Sequence, residues 1–448
     1  MHRTLLKPRT IITMDSQKKI IHGGGIIVRG NSIEKILSLE ELKTLEKFDG
    51  EVVSSPSLIA IPGFIQTHIH LCQTLFRGLA DDLQLLDWLR LKIFPFEAAH
   101  DEQSMYASAI AGIAELVRSG TTTIMDMGSV HYQEEVIRAV LDGGIRAFLG
   151  KAMMDVNELY PRLKEPTKDS VRSTLHFAEE WHNKAEGRIR YAVAPRFILS
   201  CTDELLHEAF EMTSSFPGML FHTHAAENRH EMDAVRKRCG MDNVEYFDKL
   251  SILHSNTVLA HCIWLNDREV GLMSERKAHV AHCPSSNLKL GSGIAKIPEL
   301  LSKGINVSLG ADGAPCNNTL DMFQEMRLAA LMQKPIHGPE SMNAETVLMM
   351  ATVGGAKALG IDGETGSIEQ GKKADIVLLD MNKIWNGYND QQDIYSTIVY
   401  SGSPENVQSV MIDGRWVFRD GVHDTLDQEK VVREAKTELN HLLKRIQS

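Results

Sequence analysis

The stretch LIAIPGFIQTHIH, residues 58–70, is a β-branched apolar run that ends in two histidines separated by one residue. Residues two apart on a strand share a face, so His68 and His70 present both imidazoles on one side of the strand's carboxyl end. Outward from it, seven further short apolar runs alternate with longer amphipathic segments: TTTIMDMG (121–128), IRAFLGKAMMD (145–155), IRYAVAPRF (189–197), GMLFHTHAAE (218–227), TVLAHC (257–262), HVAHCP (279–284) and NVSLGADG (306–313). Eight strand–helix units in this rhythm predict an α/β fold, a distorted (β/α)8 TIM barrel over residues 61–362, with its active site at the carboxyl ends of the strands.

The flanks have a different texture. Residues 1–60 read as short strands punctuated by Gly and Asn (TIITMD, GGGIIVRG, NSIEKILS, EVVSSPSLIAIP), and 363–425 repeat that texture in ADIVLLD and VQSVMIDGRWVFRDGVH. The two ends are expected to combine into one small β-sandwich domain, followed by a charged helical tail over 426–448. The glycines 23–25 lack the G-x-G-x-x-G spacing and the helix that a phosphate cradle needs, so they read as a turn.

Across 448 residues, 43% hydrophobic and 24% charged residues describe an ordinary globular chain and exclude disordered, collagen-like or disulfide-scaffold classes. A formal net charge of −11 without any Lys/Arg run excludes nucleic acid as a partner. No apolar run reaches the length of a membrane span, and the first residues lack a signal-peptide core, so no membrane partner is expected. Six cysteines scattered without a C-x-x-C pair fit a reducing compartment, and the expected localisation is cytoplasmic.

The chemistry collects at predicted strand ends. Besides His68 and His70, His222 and His224 end the fifth run, His261 the sixth, His282 the seventh and Asp312 the eighth. Neutral imidazoles with one carboxylate suit zinc, with iron(II) as second choice, whereas calcium or magnesium would want mostly oxygen. A bridging lysine on the fourth strand is missing, and Lys151 lies on the third, so one metal per chain is expected. Cys262 and Cys283, as strand neighbours of inward histidines, face the helices and read as buried hydrophobes. Met349-Met350 and LQLLDWLRL read as core faces of helices, with Trp88 as a possible pocket wall.

The motifs PGFIQTHIH, HTHAAE, LAHC, HCPSSNLKL and GADGAP, in this order, resemble the amidohydrolase superfamily. The similarity is to the subgroup of guanine, S-adenosylhomocysteine/methylthioadenosine and 5'-deoxyadenosine deaminases and triazine chlorohydrolases, and it covers nearly the whole chain. The resemblance implies metal ligands His68, His70, His224 and Asp312, with His222 a neighbour rather than a ligand. It also implies a catalytic set of Glu227, His261 and Asp312: Asp312 accepts a proton from water, Glu227 protonates the ring nitrogen, and His261 holds the attacking oxygen or steadies the developing charge. The implied reaction is hydrolytic deamination of a purine-like heterocycle, a step of purine metabolism.

Substrate contacts are expected from Gln73, Trp88, Arg196, Phe197 and Glu227. Gln73 lies three residues past the histidine pair and Arg196 ends the fourth strand, so an amide and a guanidinium can read a heterocycle's polar edge beside the Phe197 ring. HIHLCQTLF and APRFILSC are similar to guanine deaminases; GADGAPCNN and HCPSSNLKLGSGIAKIPELL are similar to deaminases of adenosine derivatives. The expected small-molecule substrate is therefore an adenosine derivative, with guanine as runner-up. Triazine-type hydrolysis or a non-catalytic scaffold are further alternatives, and a homo-oligomer is expected.

Overall fold

Eight parallel strands close into a barrel: Phe64–His70, Thr121–Met127, Arg146–Gly150, Ile189–Pro195, Leu220–Ala225, Thr257–His261, His279–His282 and Val307–Leu309. The computed structural model describes residues 2–387, 389 and 391–447, so the predicted domain ends at positions 1 and 448 lie outside the described residues. Closure comes from Leu309 pairing with Gln66 and, after a break, from Asp312 and Gly313 pairing with Ile69 and His70. Every residue of Phe64–His70 and Thr121–Met127 is buried, the polar Gln66, Thr67, His68, His70 and Asp126 included, as befits strands covered on both faces.

The run 58–70 is two strands rather than one. Glu51–Pro62 belongs to the second unit of the fold, and the barrel strand begins at Phe64. Gly63 separates them because a Cβ there would stand 2.1 Å from Thr122 Cγ2, so only glycine lets the chain pass this close while its N–H donates to Asp375 O (3.0 Å).

The second unit is a nine-stranded sheet made from both flanks of the barrel. Glu51–Pro62 runs parallel to Arg3–Ile12 on one side and antiparallel to Ile376–Asp380 on the other, with Ala60 opposite Leu378. An ionic cluster fastens this sheet to the barrel: Arg146, on the third barrel strand, grips Asp375 with two bonds (2.9 and 3.1 Å) and reaches Asp413 at 3.4 Å. Gly23 and Gly24 make the turn between the strands Ile20–His22 and Gly25–Arg29, with Gly23 in the left-handed region at φ 66°. The tail forms the helix Gln428–Gln447.

Among the described residues, no helix is long and apolar enough to cross a membrane. All six thiols are free. Cys262 and Cys283 are buried against carbonyls of their own strands, and burial lifts both thiols well above their ordinary range, as expected of small core hydrophobes.

Candidate active site

At the carboxyl end of the barrel the chain turns sharply inward. His261 (φ 74°), Cys262 (φ 49°), Asp312 (φ 61°) and Ala226 (φ 50°) all occupy the left-handed region, which costs non-glycine residues of order 1–3 kcal/mol each. Ligand atoms of His68, His224, His261 and Asp312 lie within 4.8 Å of one another. His70 joins them: its Nε2 is 3.3 Å from His224 Nε2 and 3.3 Å from Asp312 Oδ1.

Each ring is held from behind. His70 Nδ1 donates to Met127 O (2.7 Å), His224 Nδ1 to Arg196 O (2.7 Å) and His261 Nδ1 to Asn287 Oδ1 (2.8 Å). Because those partners only accept, each ring carries its proton on Nδ1 and turns Nε2 towards the centre. His68 uses His222 in the same way, Nδ1 to Nε2 at 2.9 Å, which places His222 behind the cluster. His68 Nε2 and His261 Nε2 are buried without a hydrogen-bond partner. Converging, anchored imidazoles with orphaned Nε2 atoms and one carboxylate are a donor set that fits a divalent metal ion.

Electrostatics agree with that reading. Burial holds His68, His70 and His224 below their ordinary range, His70 to about 3, so all three are neutral donors. Burial alone would raise Asp312, but His68, His261 and His70 hold it well below the carboxylate range. Glu227 differs: burial pushes it up to about 7, with His261 opposing. Its Oε2 is 3.6 Å from His261 Nε2, which is in turn 3.8 Å from Asp312 Oδ2. Burial would lower His261, yet the Glu227 and Asp312 charges raise it above its ordinary value.

These groups open onto a cavity also lined by Gln73, Leu85, Trp88, Leu89, Arg196 and Phe197. Every residue expected to touch substrate therefore meets in one place. Trp88 sits in a cover segment on the helix Leu85–Trp88, continued by a π-helical turn Leu89–Ile93 and the helix Phe94–Ala98.

Three side chains carry weight that the sequence reading did not give them. Glu97, on the cover, takes two bonds from Arg196 (2.7 and 3.1 Å) and one from Gln73 Nε2 (2.8 Å). Ser286 Oγ donates to Asp312 Oδ2 (2.6 Å), and Asn287 anchors His261. An acid inside the apolar run IFPFEAA was the available signal for Glu97; nothing in the spacing pointed to its partner. Lys151 is buried and pairs with Glu165, away from the cluster, and His282 is buried with neither ring nitrogen hydrogen-bonded.

The amidohydrolase family model matches residues 59–417, a span that takes in the whole cluster. The chain belongs to the amidohydrolase family. Among relatives of this amidohydrolase, a 5'-deoxyadenosine deaminase of Methanothermobacter thermautotrophicus is 39% identical over 418 residues, covering 93% of this chain and 94% of the relative. A 5-methylthioadenosine/S-adenosylhomocysteine deaminase of Moorella thermoacetica is 35% identical, covering 96% and 97%. Among solved structures, an adenosine deaminase from Xanthomonas campestris with bound zinc superposes on the amidohydrolase at a TM-score of 0.91, with 26% identity and 98% of each chain covered.

Proposed function

We propose that this amidohydrolase is a hydrolytic deaminase of an adenosine derivative such as 5'-deoxyadenosine, methylthioadenosine or S-adenosylhomocysteine, releasing ammonia. The observation that carries this reading is the Glu227 carboxyl, buried, held near neutrality and set beside His261 at the metal-type cluster, where a ring nitrogen needs a proton. Relatives bearing those activity names over nearly the whole chain support the substrate class.

His68, His70, His224 and Asp312 would hold one zinc ion, with iron(II) as second choice. When bound, such a metal lowers the pKa of water towards 7 and so makes hydroxide available at neutral pH. Asp312 takes the water's proton, its carboxylate oriented by Ser286. Glu227 gives its proton to the ring nitrogen next to the amino-bearing carbon, and His261, whose Nε2 faces both Glu227 and Asp312, holds the attacking oxygen or steadies the developing charge. The water oxygen bonds to the amino-bearing carbon; ammonia then leaves with the proton passed on by Asp312, and the new hydroxyl gives its proton to the ionised Glu227 as the carbonyl forms.

Guanine deamination is the second reading, favoured by the presence of Gln73 and Arg196 in the cavity wall. The ion pair with Glu97 counts against it, since a guanidinium committed to a carboxylate is less free to read a carbonyl oxygen. Free thiols fit a cytoplasmic enzyme, and a homo-oligomer remains part of this reading, checked by sedimentation. The deciding experiment is ammonia release by the zinc-loaded enzyme on 5'-deoxyadenosine, methylthioadenosine, S-adenosylhomocysteine and guanine, beside chloride release from a chlorotriazine. The highest kcat/KM on an adenosine derivative is expected; a clear preference for guanine or triazine overturns the reading.

A further inference from the structure

The cover over the cavity is braced from outside by the last helix of the fold. Leu442 of Gln428–Gln447 is fully buried in the same apolar cluster as Leu85, Trp88 and Leu89, the residues that wall the cavity. Ala435, Leu439, Leu443 and Ile446 pack on that cluster too, a stripe at spacings of three and four that turns one face of the helix to the cover. The last helix lies along Glu102–Arg118 and meets the cover at Phe94–Ala98, and through the shared cluster its apolar face is continuous with the residues that wall the cavity.

Arg445 extends the brace to the point where the cover joins the barrel. Its Nε donates to Ala99 O (2.7 Å), the residue that caps the cover helix Phe94–Ala98. Its Nη1 lies 2.7 Å from Asp101, the N-cap of the following helix Glu102–Arg118, and its Nη2 donates to Ser104 Oγ (3.0 Å), part of the same capping box. One guanidinium therefore ties the carboxyl end of one helix to the amino end of the next, across a joint of a few residues. Glu97, which clamps Arg196 and Gln73 at the cavity wall, lies two residues before that joint.

We infer that Arg445 is a positioning residue for substrate binding: by locking the Ala99–Asp101 joint, the final helix sets the closed position of the cover that carries Trp88 and Glu97. The cover walls one side of the cavity, and the joint is where Arg445 holds it in place. The inference rests on the deaminase reading only for its kinetic part.

The test uses the full-length, zinc-loaded enzyme with Arg445→Ala and Arg445→Lys. Hydrogen exchange of amides 77–99 is measured beside zinc content and the kcat and KM for 5'-deoxyadenosine. Loss of charge-assisted contacts at the joint is expected to speed exchange in 77–99 by about tenfold, with barrel strands and zinc content unchanged. KM is expected to rise about tenfold while kcat stays within about threefold, because the chemical groups are untouched. Lysine, which keeps the charge for Asp101 but loses the fork, should recover part of both effects. Unchanged exchange in 77–99, exchange raised equally through the barrel, or an unchanged KM with a loosened cover would each overturn the inference. If 5'-deoxyadenosine is not turned over by the parent while the exchange result holds, the functional reading fails and the bracing role stands.

Discussion

Glu97 and Arg196, 99 positions apart in the chain, meet across the barrel mouth in a two-pronged ion pair, and both side chains are almost wholly buried. Phe94 adds a ring face 5.4 Å from the guanidinium, so the cation is enclosed by the cover as well as paired to it. Removing one member of such a pair leaves an uncompensated buried charge. Arg196→Met is therefore expected to cost roughly 3–5 kcal/mol of unfolding free energy, and the double change Arg196→Met with Glu97→Gln to recover much of it. Urea denaturation of the four-member cycle measures this coupling; additive losses would show that the pair does not act as a unit.

Glu227→Gln keeps the shape of the side chain and removes its proton. Turnover on the best substrate is expected to fall by about 10²–10⁴-fold with zinc content unchanged, measured by ammonia release and metal analysis on the same sample. Near-parental turnover would remove Glu227 from proton transfer.

One transition metal per chain is expected at the cluster, because the proposed ligand set closes a single coordination sphere with one position left for water. Exhaustive chelation should abolish turnover, and readdition of zinc should restore it. His224→Ala should lose the metal as well as the activity. Two equivalents per active chain would overturn the mononuclear site.

The cavity wall holds three carboxylates, Glu227, Glu231 and Asp312, and the guanidinium of Arg196 is already shared with Glu97. Among the described residues lining the cavity, a 5'-phosphate on the nucleoside therefore meets no uncommitted arginine or lysine. Adenosine 5'-monophosphate is expected to be used about 100-fold less efficiently than 5'-deoxyadenosine, since an unpaired buried charge costs several kcal/mol. Parallel kcat/KM measurements decide it.

Asp126 gives the fold a pH dependence of its own. One oxygen accepts from Leu71 N (2.7 Å), the other is buried without a partner, and burial pushes the carboxyl up to about 7. A folded-state value raised above the unfolded one means stability fully present below about 3.8 and lost as pH rises through about 7. Asp126→Asn, which cannot ionise, should remove that loss, at most about 4 kcal/mol, and make the variant relatively more stable at pH 8 than at pH 5. Thermal unfolding of both proteins across that range is the check.

The barrel was legible because its strands are buried on both faces and therefore stand out as short apolar runs, and because the cluster residues sit at the ends of those runs. His68, His70, His224, His261 and Asp312 were all visible in this way, and the cavity gathers Gln73, Trp88 and Phe197 around them. The break at Gly63 was not legible, since the clash that requires glycine comes from Thr122, a residue of another strand. Nor was the partnership of Glu97 with Arg196, because a side-chain pair between distant segments leaves no periodic trace in either. The orienting bonds from Ser286 and Asn287 were hidden for the same reason: they depend on how a short helix after the seventh strand is set over the barrel mouth.

The strand Glu51–Pro62 hydrogen-bonds to Ile376–Asp380 along one edge, and this has a consequence for the nascent chain. That edge is made early in synthesis and finds its partner only after about 300 more residues have emerged, roughly 15–60 s at about 5–20 residues per second. Throughout that interval the ribosome-bound protein displays an unpaired row of N–H and C=O groups flanked by β-branched side chains, a template for intermolecular pairing. Translation arrest before residue 376 would leave a nearly complete barrel joined to an open sheet edge, so the aggregation hazard of this architecture lies in its sheet and not in its catalytic unit.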